Sequence, residues 1–115
     1  MPGYTPWMGT VTLPLANRAY CLLDLLQALP VTVRPLFDVT TAVQFATVQA
    51  NADGAANIRY YIGNVALSAT FKGTVIFATQ TYPIYSMNGN MVRLDHIYLM
   101  ATGDNETFNV TFIQR

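Results

Sequence analysis

The stretch Thr107-Phe108-Asn109-Val110-Thr111-Phe112-Ile113 decides the fold. Phe108, Val110 and Phe112 alternate with Thr107, Asn109 and Thr111. Successive side chains of a strand point to opposite faces. The period of two therefore predicts a strand whose Phe/Val/Phe face enters a core and whose Thr/Asn face meets solvent or a partner. Just upstream, Arg93–Ala101 also alternates, with Leu94, His96, Tyr98 and Met100 on one face and Asp95, Ile97 and Leu99 on the other. Thr102-Gly103-Asp104-Asn105-Glu106 lies between the two segments and is expected to join them as a hairpin turn.

Working further toward the N-terminus, the pattern of short apolar runs and turns continues. Asn88-Gly89-Asn90, Lys72-Gly73, Gly63-Asn64 and Asn51-Ala52-Asp53-Gly54 are turn signals. Between them lie strand candidates at Thr81–Ser86, Thr74–Ala78 and Ile58–Ile62. Pro83 places the first of these at an edge or a bulge. Val43, Phe45, Thr47 and Gln49 alternate weakly with Gln44, Ala46, Val48 and Ala50. Many short strands with frequent turns predict a mainly β chain, an antiparallel, jelly-roll-like β-sandwich of roughly seven or eight strands.

The N-terminal third reads differently. Leu22, Leu25, Leu26 and Leu29 fall at i, i+3, i+4 and i+7, one face of a short helix over Tyr20–Leu29, with Asn17 as its expected N-cap and Pro30 as its stop. Thr10–Leu13 is a short strand candidate. Residues 1 to 8 hold Pro2, Gly3 and Pro6, which predict an extended arm rather than an element. That arm carries Tyr4, Trp7 and Met8, large apolar side chains that need a surface to cover, on this domain or on a neighbour. They are the candidate partner-binding residues. The expected organisation is arm and short strand over 1–18 and the β-sandwich domain over 19–115.

Charge is scarce. Only 10% of the chain is Asp, Glu, Lys or Arg while 52% is apolar, against about 25% charged in an ordinary soluble domain. Six basic and six acidic residues cancel, so no electrostatic footprint for nucleic acid or an anionic membrane exists. Tyr20–Leu29 is too short for a membrane span and carries Asp24 and Gln27, and Gly73–Val92 is interrupted by polar residues and Pro83. The first residues show neither a basic nor an apolar leader region. Five of the six basic residues are Arg, and seven Tyr and six Phe are present; interfaces favour Arg and aromatics over Lys. These features together predict a surface that is covered by other protein.

Catalytic and metal chemistry finds little support. His96 is the one histidine, and on a strand Asp95 would point to the opposite face, so the two form no pair. Cys21 reads as a small buried hydrophobe, and with His96 it does not resemble a zinc set. Asp53 and Asp104 lie in turns, where Asp bonds nearby backbone. Asp104 and Glu106 have calcium-like spacing but nothing completes a cage. Tyr60 and Tyr61 point to opposite faces, so at most one serves an aromatic sugar platform. No enzyme activity and no cofactor are expected.

Val48-Gln49-Ala50, Tyr61-Ile62-Gly63, Lys72-Gly73, Val92-Arg93-Leu94-Asp95-His96-Ile97-Tyr98-Leu99 and Phe108-Asn109-Val110-Thr111-Phe112 carry a resemblance. Over residues 43–115 the chain resembles the small β-sandwich structural proteins of tailed-bacteriophage particles, of the head-decoration, head-fibre or neck type. The resemblance implies a virion protein made in the host cytoplasm, non-enzymatic, present in many copies. As a capsid-associated cement, decoration or minor head protein it would contact the major capsid protein or other virion proteins and form a homo-oligomer, a trimer or pentamer matching capsid axes. A tail or baseplate position and a glycan-binding module are the alternatives.

Overall fold

The computed structural model describes residues 5–33, 42–43, 45–51, 58–63, 73–77, 80–85 and 92–114. Its elements in chain order are β1 (Thr5–Leu13), β2 (Tyr20–Cys21), α1 (Leu22–Gln27), β3 (Ala42–Val43), β4 (Phe45–Asn51), β5 (Tyr60–Gly63), β6 (Thr74–Ile76), β7 (Thr81–Tyr85), β8 (Val92–Arg93), a 3-10 turn (Leu94–His96), β9 (Tyr98–Ala101) and β10 (Glu106–Gln114). Two antiparallel four-stranded sheets form, ordered β1-β10-β4-β7 and β2-β9-β5-β6, with a small β3-β8 pair beside them. Both sheets contribute to one buried apolar cluster, so the chain is mainly β and compatible with a β-sandwich.

β10 is the axis of the first sheet. Phe108, Val110 and Phe112 are at most 1% exposed, as their alternation predicts. Their cross-strand neighbours Ala50, Val48 and Ala46 on β4 are fully buried, and so is Val11 on β1. The second sheet faces them with Tyr60, Ile62, Ile76, Leu99 and Ala101. α1 closes one side with Leu22, Leu25 and Leu26, three positions of the expected leucine stripe. At about 25 cal/mol per Å² of apolar area removed from water, a cluster of this kind is the dominant favourable contribution to folding.

Four expectations are corrected. The first concerns the arm: Tyr4 lies outside the described residues, but Thr5–Met8 is the first half of β1, paired with β10 from Thr5↔Gln114 to Leu13↔Glu106. Pro6 is tolerated because β1 is an edge strand, where a missing donor need not interrupt a ladder; Pro83 lies on the opposite edge strand, β7, where the sequence placed it. Second, the helix is shorter than Tyr20–Leu29, because Tyr20 and Cys21 pair with Leu99 and Tyr98. Cys21 occupies its N-cap position, and Asn17 instead takes a left-handed conformation (φ 58°) and donates its N–H to the Ala101 carbonyl at 2.7 Å.

Third, Arg93–Ala101 is not one strand. The 3-10 turn breaks it, so Leu94 and Ile97, three residues apart, are both buried. Fourth, Thr102–Glu106 is no hairpin, for β9 and β10 belong to different sheets. The segment is a crossover, fastened by Thr102 N–H to Arg59 O (3.0 Å), Asn105 N–H to Pro14 O (3.1 Å) and Ala16 N–H to the Asp104 carboxylate (2.8 Å).

The start of β1 depends on Gly9. The Trp7 ring stacks on Phe112 with centroids 5.1 Å apart, and its Nε1–H donates to Val33 O at 3.2 Å. A Cβ at position 9 would meet that ring at 2.5–2.6 Å. The ring is held on two sides, so Gly9→Ala is expected to cost about 1–3 kcal/mol by overpacking. Urea unfolding measures this; an unchanged midpoint would mean the indole shifts freely.

Candidate functional site

The outer face of the β1-β10-β4-β7 sheet carries the polar half of the alternation. Strand pairing arranges it in rows across the sheet. One row runs Met8, Thr111, Thr47, Pro83 and the next Thr10, Asn109, Gln49, Thr81. In the second row the Thr10 hydroxyl donates to Asn109 Oδ1 at 2.9 Å, and Asn109 Nδ2 donates to Gln49 Oε1 at 3.1 Å. The rows contain no charged residue. Charged side chains among the described residues sit in connections, α1, β8 and the 3-10 turn. The exception in a long strand, Glu106, accepts a hydrogen bond from the Tyr60 hydroxyl at 2.6 Å.

The three candidate partner-binding residues separate on this framework. Met8 stands on the outer face and is 73% exposed. Trp7, its neighbour, points the other way and packs on the core. Tyr4 is outside the described residues.

The other sheet has an apolar outer side. Tyr61 and Met100, cross-strand partners, are buried there with Ala19 and Tyr98 against them. Val75, opposite Tyr61 on β6, is exposed, and Phe77 just beyond is 67% exposed. Tyr60 instead faces the core, edge-on to Phe108. Both tyrosines are buried, so neither offers an open stacking platform.

A cleft of about 470 Å³ lies between the two sheets, where the edge strands β6 and β7 approach. Ile62, Ile84 and Ile97 line its inner part, and Thr74, Tyr82 and His96 are exposed along it. His96 ends the 3-10 turn. Its neighbour Asp95 is engaged by Arg93 in a two-point pair, Nη2 to Oδ2 at 2.8 Å and Nε to Oδ1 at 3.1 Å. That hydrogen bond holds the Asp95 carboxyl below its usual range and raises Arg93. Because the folded pKa is depressed, the contribution is present above the unfolded pKa and lost as pH falls through the folded one. The pair is solvent-exposed and screened, so Asp95→Asn is expected to leave the melting temperature at neutral pH unchanged; a clear drop would mean the pair anchors the turn.

The chain matches no family model, no curated protein and no solved structure.

The remaining candidates have local roles. The Cys21 thiol is half-buried and lies 3.5 Å from Asp95 O and 3.9 Å from Leu94 O, against the backbone of the 3-10 turn. Asp104 fastens the crossover. Among the described residues no group of three His, Cys, Asp or Glu is placed to hold a metal ion, and no helix is long and apolar enough to cross a membrane. The isoleucine cleft escapes the sequence, since its residues come from three distant segments. The uncharged sheet face was visible in it, as the Thr/Asn half of the 107–113 alternation.

Proposed function

We propose that this chain is a non-enzymatic structural subunit of a virion, acting through protein–protein contacts as a capsid-associated cement, decoration or minor head protein. In this reading it is a jelly-roll-like sandwich, and it forms a homo-oligomer that docks on the major capsid protein. The single observation that carries the reading is the uncharged outer face of the β1-β10-β4-β7 sheet. Protein interfaces are depleted in charge at their cores, and this face combines hydroxyl and amide groups with the exposed Met8. Hydroxyls and amides both donate and accept hydrogen bonds, so such a face pairs with a copy of itself or with another neutral surface without opposing charges. The overall scarcity of charge and the resemblance over residues 43–115 support the same reading.

The test is assembly. The purified protein is expected to sediment as a closed, symmetric oligomer and to co-sediment with shells of the major capsid protein. A chain that stays monomeric at its highest soluble concentration and ignores the shell would overturn the proposal.

A further inference from the structure

We infer that the cleft between β5, β6 and β7 is a binding site for a small neutral amphipath, a compact apolar body with one hydrogen-bonding head. The inference is independent of the assembly proposal, because the cleft uses none of the outer-face residues.

The opening has a cause in the sequence. Ile62 pairs with Thr74, so one step further along the antiparallel register Gly63 stands across from Gly73. Both line the cleft, and neither has a side chain to fill it. Gly73 has φ 75°, a conformation that glycine adopts without steric cost. Neither glycine therefore places a side chain between the sheets at this end of β5 and β6.

The lining selects the ligand. At about 470 Å³ the cleft falls within the roughly 300–1,000 Å³ usual for small-molecule sites. It is about three times the roughly 150 Å³ apolar cavity that accepts benzene, enough for a ring with substituents. The isoleucines Ile62, Ile84 and Ile97 come from three different segments and favour an apolar body. None of the described lining residues is Asp, Glu, Lys or Arg, so none of them compensates the desolvation of a charged ligand. A sugar would turn hydroxyls onto isoleucine and leave them unpaired, at a cost of the same kind. His96, Tyr82 and Thr74 supply the polar contact. None of the three side chains hydrogen-bonds to another described residue, and the imidazole and both hydroxyls can each donate or accept. A single polar head on the ligand is what they complement.

The probe is para-cresol, titrated into the full chain with isoleucine methyl groups labelled for NMR. Saturable shifts of the Ile62, Ile84 and Ile97 methyls are expected, with contacts from the probe's ring protons to the Ile84 methyls. Glucose should shift none of them. Thr74→Trp, on an exposed edge strand, should obstruct the mouth and weaken binding by about tenfold or more. His96→Ala removes one hydrogen bond and should weaken it about 3–10-fold while the methyl shifts remain. The absence of saturable shifts, or shifts that Thr74→Trp leaves intact in a protein with an unchanged amide spectrum, would overturn the assignment. Should Thr74→Trp misfold, the ring-to-methyl contacts in the natural chain decide alone: their absence refutes the site.

Discussion

Phe112→Ala is expected to remove about 3–5 kcal/mol of stability, a large part of what a domain of this size possesses. The ring is fully buried on the strand that joins both halves of its sheet. Its cross-strand neighbours are Trp7 on β1 and Ala46 on β4. Alanine at 46 is too small to move into the space, and Trp7 is tied to Val33 through its ring nitrogen. The site therefore collapses poorly, which puts the cost toward the upper end of the range. The Trp7 stack is lost as well, worth about 0.5–1.5 kcal/mol beyond burial. Thermal unfolding measures the effect, with an expected fall of about 10–20 °C. Thr111→Ala, one residue away on the outer face, is the comparison and should change little. Equal effects at the two positions would refute the inward assignment of Phe112.

Thr111→Arg is expected to abolish self-association while leaving the fold intact. Thr111 sits on the inner strand β10, between Met8 and Thr47 in a row without charge. In a self-complementary contact each copy would bring its own guanidinium, unpaired and desolvated, to the middle of the interface. That penalty is several kcal/mol, so association should weaken by about a hundredfold or more. Folding stability should stay within about 0.5 kcal/mol of the natural chain, as for other surface substitutions. Analytical sedimentation of Thr111→Arg beside Arg59→Glu, a charge change off the face, makes the comparison. An oligomer that survives Thr111→Arg would place the contact on another surface.

Much of the architecture was readable from alternation, because the period of two reports which face a residue occupies. Phe108, Val110 and Phe112 are core as expected, and so are Leu22, Leu25 and Leu26 of the helix stripe. Alternation does not report which strand pairs with which. Thr102–Glu106 has the composition of a hairpin turn, yet it carries the chain from one sheet to the other, since β9 finds β5 and β10 finds β4 and β1. In Arg93–Ala101 the local pattern fitted a strand, and the 3-10 turn won because it buries both Leu94 and Ile97. Pro6 disguised the start of β1, since proline forbids only a place inside the ladder and β1 lies at its edge. Of the candidate sites, the uncharged face was half visible as the polar partner of the Phe108 pattern. The cleft was not, because positions 62, 84 and 97 share no local signal.

The pairing of β1 with β10 also governs when this chain can fold. Thr5 meets Gln114 and Leu13 meets Glu106, so the first of the described strands is held by the last of them. β10 also lies between β1 and β4, which have no ladder to share until it arrives. At about 5–20 residues per second, β1 waits on the order of 5–20 seconds for its partner. Throughout that interval Val11, Leu13, Ala46 and Val48 lack the strand that buries them. Completion of this sheet therefore waits for residues 106–114 and is slowed by so distant a closure, and a message cut short before residue 106 leaves β1 and β4 without the strand between them. For a chain with so little charge to keep it apart from its neighbours, that interval is the period of greatest exposure to aggregation and to chaperones.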